Sequence, residues 1–577
     1  MHRRSFPIVA CLTATAAVLL GGCGNAPPVR DDTPLTDVDT EYVAAERQMP
    51  EHYRQPEVAG AERRAQGPAS ITVSGSPTGE DFRRAATGLS FEATELADER
   101  LSMDNSDLVS LVGSLERPTL RFGGNSVDRR FFFTAEDESP PTDWPLQPGE
   151  NITTVTPDDL RRVAGFAEAV DAEVILSANL AADDPARAAA LAAHAHDAFG
   201  EDLVAIMVGN EPNGFYQGDG HRLSVKDENW DKAQYVSQLE EYTALIREKV
   251  PHLPVTAPGA FAPDWWEAVA QANLDHSVLA VHQYPLSSCA GSTPRQLPTM
   301  DNLVAPYTRA NVDRFLGIAM DQGREAGMPV WLTETSVSAC LGSNDITETL
   351  GSAIFAAEYS MRAQSLGVER LVHHSSLHQC AGGPPMSPVC SSGTRDDQGQ
   401  AFVPRANHLG LVLVGQIPDG DFLDTKIAGN DDITAYAIRH HRDYRGRQDT
   451  TLVVTNFADP GNAGRTPVRI DLPDAYGEAV MTQLGGPAWE ASFPGESAFD
   501  VEPEAGSPRT EDSDGRAQTL GNALDPVGAE NVSVDGWGLP LTPVEHRPDV
   551  PGARHGEDKL SMSLNPGTVT VLTLSQF

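Results

Sequence analysis

The sequence predicts an α/β protein in which a (β/α)8 barrel is followed by a C-terminal β-sandwich. Eight strand-length apolar runs lie between residues 85 and 403, separated by stretches of helical period. After residue 404 the helical period gives way to short alternating runs broken by Gly, Pro and Asp, a sandwich pattern. With 577 residues and 40% hydrophobic content, the chain can bury a core in each part.

Residues 1–22 read as an export leader, with His2, Arg3 and Arg4 at its start and an apolar run from Pro7 to Leu20. The ending Leu20-Gly21-Gly22-Cys23 resembles a bacterial lipobox, so Cys23 is the expected lipidation site of a chain exported to the outer face of a bacterial cell membrane or secreted. The run is shorter than the roughly 20 apolar residues of a membrane span, so membrane contact is expected only through the lipid at Cys23. Residues 23–67 are rich in Pro, Asp, Glu, Arg and Gln without an apolar period, which predicts a tether. Within 68–84, the alternation Ala69-Ser-Ile-Thr-Val-Ser74 predicts a strand that joins the distant sandwich.

Barrel strands are expected at 88–91, 119–122, 173–176, 203–208, 254–257, 278–281, 329–332 and 370–373. The clearest helix opens at Thr156 and Pro157, followed by two aspartates, with Leu160, Val163, Ala167 and Val170 on one face. Others are expected at 185–199, 235–250, 306–327 and 346–366. Sandwich strands are expected at 433–438, 451–455, 468–472 and 568–574, with a polar loop or insertion over 490–523. These boundaries give a barrel at 85–403 and a sandwich at 404–577.

Four cysteines follow the leader: Cys289, Cys340, Cys380 and Cys390. An even number in an exported chain favours disulfides; three connectivities are open, and short spacing favours Cys380 with Cys390, leaving Cys289 with Cys340. No ordered Cys/His set supplies a metal site, and neither metal nor organic cofactor is expected. His373, His374 and His378 read as core or rim hydrogen-bonding groups. Acidic residues number 82 against 42 basic ones, five of them lysine, and the formal charge of −40 opposes nucleic acid and highly sulfated partners.

In such a barrel, the carboxyl ends of the strands face the reaction site. Glu211, in Met207-Val-Gly-Asn-Glu-Pro-Asn-Gly-Phe215, follows the fourth strand; Glu334, in Trp331-Leu-Thr-Glu-Thr335, follows the seventh. Two carboxylates on opposite sides of one rim can flank a glycosidic bond, one protonating the departing oxygen and the other attacking the anomeric carbon. Pro212 reads as the residue that ends the strand at the acid.

The motifs Leu120-Arg-Phe-Gly-Gly-Asn-Ser-Val-Asp128, Gly209-Asn-Glu-Pro-Asn213, His282-Gln-Tyr-Pro285 and Trp331-Leu-Thr-Glu-Thr335 resemble, in order and spacing, the heparanase and β-glucuronidase family of retaining glycoside hydrolases, family GH79. That resemblance implies Glu211 as acid/base and Glu334 as nucleophile. It further implies Asn210 as donor to the hydroxyl beside the anomeric carbon, Tyr284 as support for the nucleophile, and Glu92 and Asn125 as sugar-binding residues. The sequence departs from the family where a uronic acid is recognised: the loop Thr335-Ser-Val-Ser-Ala-Cys-Leu-Gly-Ser343 has one glycine and no tyrosine, leaving the amides of Leu341 and Gly342 as donors.

A carbohydrate or glycoside substrate, most simply a β-glucuronide, is therefore expected. A neutral β-glycoside is the alternative within the same chemistry, and a non-catalytic carbohydrate-binding surface lipoprotein the alternative outside it. Arg121 and Asp128 read either as sugar contacts or as a buried ion pair, and Trp265 with Trp266 as packing at the start of a helix.

The acid excess looks like an adaptation to salt, which screens self-repulsion. The melting temperature should accordingly rise as sodium chloride is taken from millimolar to molar levels, and a flat or falling curve by calorimetry would count against it.

Overall fold

Eight parallel strands close into a barrel in chain order in the computed structural model of the protein. It describes residues 64–489 apart from short internal stretches, three two-residue strands within 510–534, and residues 558–575. The barrel strands are Thr87–Glu92, Thr119–Gly123, Glu173–Ala178, Leu203–Val208, Val255–Ala260, Ser277–Gln283, Val330–Thr335 and Arg370–His374. Their near-continuous burial is the reason they read as apolar runs: a parallel sheet is covered on both faces. Ile175, Ala205, Met207, Val278 and Trp331 come from four different strands yet form one small cluster, which is possible only across the barrel interior.

The helices begin where their caps place them. Thr156 accepts from the Asp159 amide while Asp159 returns a bond to the Thr156 amide, starting Pro157–Ala169. Pro185–Phe199, Lys232–Lys249 and Pro306–Ala326 lie at the expected positions. The expected helix over 346–366 is instead two, Asn344–Thr347 and Leu350–Ser365. Between them Thr349 is extended and its hydroxyl bonds the Ile346 carbonyl, while Glu348 turns inward to a fully buried pair with Arg405 at 3.2 Å.

A further helix, Ala406–Gly415, is buried at every residue and completes the last βα unit. The change to sheet therefore comes near residue 416 rather than 404. A helix apolar on all sides has no amphipathic period to betray it. Among the described residues, no helix is long and apolar enough to cross a membrane.

The second body is a nine-stranded, mostly antiparallel sheet. The strand Ala69–Phe82, from before the barrel, lies inside it, antiparallel to Gly420–Ala428 and parallel to Thr466–Asp471. Both sheet faces are covered. Along Thr450–Asn456, Leu452 and Val454 enter the sandwich core, while Val453 faces the layer shared with helices Leu350–Ser365 and Ala406–Gly415.

Cys380 and Cys390 form a disulfide in the loop after the last barrel strand, as their spacing favours. Cys289 is also disulfide-bonded. Its expected partner Cys340, with Leu341, Gly342, the leader, Cys23 and nearly all of 490–523, lies outside the described residues.

Ile71, fully buried at the sandwich core, tests the role of the first strand. Ile71→Ala should cost about 2–5 kcal/mol. The check is a lowered denaturation midpoint, and an unchanged midpoint would show that this strand does not stabilise the sandwich.

Candidate active site

The strand leading to Glu211 ends at Val208, where its apolar run ends, and Pro212 is not the residue that ends it. Gly209, at φ 75°, turns the chain out of the sheet after Val208, and Glu211 itself sits in the left-handed region at φ 49°. Pro212 opens the short turn Pro212–Gly214 beyond it. A glutamate in this conformation costs on the order of 1–3 kcal/mol and needs surrounding structure to hold it. Its amide donates to the Gly259 carbonyl at 2.9 Å, and the Trp230 indole fastens the Pro212 carbonyl at 2.8 Å.

Across the rim stands Glu334, 6% exposed, with each carboxylate oxygen held by a different donor. Arg121 Nη1 donates to Oε2 at 2.9 Å, and the Tyr284 hydroxyl donates to Oε1 at 2.6 Å. Burial alone would raise its pKa; the charges of His282, His374 and Arg121 and the tyrosine bond outweigh burial and hold it well below the usual carboxylate range. Tyr284 is driven the other way by burial and by Glu334, so the phenol keeps its proton and remains a donor.

Arg121 organises more than Glu334. Fully buried, it also donates to Ser90 Oγ at 2.8 Å and to the Asn210 side-chain oxygen at 2.5 Å. The last bond turns the Asn210 amide so that its nitrogen is left as the donor. Asp128 does not pair with Arg121: its carboxylate accepts from the Leu180 and Ala181 amides at 2.7 and 3.1 Å and from the Asn210 amide at 2.7 Å. Burial outweighs those bonds and pushes Asp128 up to about 6. Gly123 and Gly124 make the arrangement possible, since a Cβ on Gly123 would stand 2.4 Å from the Arg121 guanidinium and one on Gly124 2.3 Å from Glu92 Oε1.

Glu92 projects from the end of the first strand, half-buried, and accepts from the Ser126 amide at 2.8 Å. His374, from the last strand, stands between the acids: Nε2 is 3.6 Å from Glu92, while Nδ1 is 3.1 Å from the Tyr284 hydroxyl and 3.9 Å from Glu334. Burial would lower the His374 pKa, but Glu334 and Glu92 together push it up to about 9. Its neighbour His373 points away into the core, where burial takes its pKa down to about 3. Glu95 is buried and accepts from the Leu377 amide at 2.6 Å. Burial is the larger influence and raises it to about 8.

The structure thus brings together Glu92, Asn210, Glu211, Tyr284 and Glu334, while Asn125 is exposed on the turn beside them. Two site residues carried no assigned role in the sequence: His374, read as a core or rim group, and His282, whose Nδ1 lies 2.9 Å from Glu211 Oε1. The motif His282-Gln-Tyr-Pro285 contained the second, at the carboxyl end of the strand Ser277–Gln283 and two residues before Tyr284.

One ligand atom each from Glu211, His282 and Glu334 lies within 4.8 Å of the others, a spacing compatible with a metal. Both oxygens of Glu334 are already engaged by Arg121 and Tyr284, so the donor set is compensated by the protein's own cation and hydroxyl. Trp266 packs edge-on against Phe315 and bonds the Ala260 carbonyl, and Trp265 stacks toward Trp230 and Tyr235; both are packing residues.

No family model and no curated protein matches the chain. Its fold is similar to that of solved glycosidases. A 4-O-alpha-L-rhamnosyl-beta-D-glucuronidase from Fusarium oxysporum aligns over 88% of this chain and 100% of its own at 16% identity and TM-score 0.56. The GH51 arabinofuranosidase from Xanthomonas axonopodis aligns over 88% and 100% at 12% identity and TM-score 0.59. A monomeric beta-xylosidase from Caulobacter crescentus aligns over 88% and 99% at 14% identity and TM-score 0.50. The shared features are the barrel and the appended β-domain.

Because its folded pKa is raised from 6.5 to about 9, the charged His374 stabilises the fold fully below about pH 6.5, and that contribution is lost as pH rises through 9. Following the His374 imidazole by NMR should give a midpoint near 9 that falls toward 6.5 in Glu92→Gln. An unshifted midpoint in that variant would remove Glu92 as a cause.

Proposed function

We propose that the chain is a retaining β-glycosidase acting on β-glucuronides. The observation that carries this reading is the pairing of Glu211 and Glu334 from opposite sides of one rim, with carboxylate oxygens within 4.8 Å. Retaining enzymes hold their two carboxyl groups roughly 5 Å apart, too close for an intervening water. The environments of the two also differ: Glu334 is held as an anion by an arginine and a tyrosine, while Glu211 Oε1 lies 2.9 Å from His282 Nδ1.

In the proposed reaction, Glu334 Oε attacks the anomeric carbon while Glu211 gives its proton to the departing oxygen, leaving an ester between sugar and Glu334. Glu211 then takes a proton from water, whose oxygen displaces Glu334 and releases the sugar with its original configuration. The Asn210 amide nitrogen, turned outward by Arg121, is suited to the hydroxyl beside the anomeric carbon. No metal or organic cofactor is needed for these steps.

The glucuronide preference is supported by the motif resemblance to family GH79 and by the substrate named for the Fusarium relative. Amides of Leu341 and Gly342 remain the proposed carboxylate donors. The loop with one glycine and no tyrosine favours a second reading, a neutral β-glycoside. Initial rates on nitrophenyl glucuronide and glucoside separate the two. A carbohydrate-binding protein without catalysis would bind sugar yet turn over nothing on a broad glycoside panel. The leader and Cys23 add the proposal of a lipid-anchored protein at the outer face of a bacterial membrane, for which labelled palmitate should be incorporated by the native chain and not by Cys23→Ser.

Glu334→Gln keeps a polar partner for Arg121 and should fold while losing measurable turnover. Glu211→Ala should lower kcat by about two to four orders of magnitude with a good substrate. Substantial activity in Glu334→Gln would refute the assignment of the nucleophile.

A further inference from the structure

The turn after the second barrel strand touches the site at two points. Its Ser126 amide donates to Glu92 at 2.8 Å, and its Asp128 carboxylate accepts from the Asn210 amide at 2.7 Å. Arg129, the next residue, belongs to the turn whose Ser126 and Asp128 hold Glu92 and Asn210, its own amide donating to the Ser126 carbonyl at 3.2 Å. Its side chain is half-buried, and among the described residues it has no hydrogen-bond or ion-pair partner. Arg121, by contrast, bonds Ser90, Glu334 and Asn210 through its two terminal nitrogens. The charged groups around Arg129 are Glu150, Glu92, Asp128 and Glu211; burial lowers its pKa against their opposing pull.

A partly desolvated guanidinium has five donors and no acceptor, so a site that leaves it unbonded gains most from an oxygen-rich ligand. Sugar hydroxyls both donate and accept. A carboxylate and a guanidinium side by side satisfy both halves of a pair of neighbouring hydroxyls.

We propose that Arg129 is a substrate-binding residue that donates to hydroxyls on the sugar edge remote from the scissile bond, the edge from which Glu92 accepts. This rests on the glycosidase reading above and adds to it the chemistry of ring recognition. The rival role, neutralising nearby carboxylates, predicts a different response to the substrate.

The test measures kcat/KM for the wild type, Arg129→Gln and Arg129→Ala on whichever nitrophenyl glucuronide, glucoside or xyloside the wild type hydrolyses fastest. It repeats this on two analogues of that sugar, each lacking one of the two ring hydroxyls farthest from the anomeric carbon. On the parent, both variants should lose about 10- to 100-fold, the usual effect of removing a charged hydrogen bond. On at least one analogue the wild type should already carry that loss, and Arg129→Gln should add less than about twofold. Equal losses on the parent and both analogues, or no loss at all, would overturn the inference while leaving the proposed function intact. A folded wild type that hydrolyses none of the glycosides would overturn the proposed function and the inference with it.

Discussion

The site depends on a single guanidinium. Arg121 is wholly buried within the second barrel strand, and it bonds the nucleophile candidate on the seventh strand, the Asn210 side chain just past the fourth and a serine on the first. One cation therefore ties together four strands of the barrel at the level where the chemistry is placed. Breaking a buried charge pair by removing one partner costs about 3–5 kcal/mol, because the remaining charge stays desolvated. The anion it faces is thus locked in its ionised form as part of the same structure that closes the barrel.

Around that centre the carboxylates are kept apart in character by their neighbours rather than by their chemistry. Glu334 is surrounded by donors; Glu92 shares His374 and an amide; Glu95 and Asp128 are buried enough that desolvation dominates. Of these four acids, Glu92 and Glu334 are held below their ordinary range and Glu95 and Asp128 above it. His374 links two of them, so a proton lost there changes the field at Glu92 and Glu334 together.

The barrel was legible because parallel strands buried on both faces leave unbroken apolar runs, and because Thr156 and the proline-led helix starts carry their own signals. Glu211 and Glu334 were legible as strand-end carboxylates. Ala406–Gly415 was not, since complete burial erases the polar face that a helical period needs. Nor could the sequence show that Arg121 and Asp128 serve separate partners, or that His374 bridges two acids: those bonds join residues from different strands, and only closure of the barrel makes them neighbours. The fourth strand ends at Val208 as its apolar run indicated, but the residue that turns the chain out of the sheet is Gly209 and not Pro212, the louder breaker.

The strand Ala69–Phe82 lies inside the sandwich sheet although the whole barrel separates it from its partners in sequence. The barrel is consequently inserted within the sandwich along the chain, and no single cut separates the two bodies. During synthesis this first strand must wait, unpaired, until the barrel and the strands after it have been made. Its alternation of buried apolar residues with Ser and Thr is suited to that interval, since a strand that is half polar is less prone to join a stranger while its own sheet is still missing.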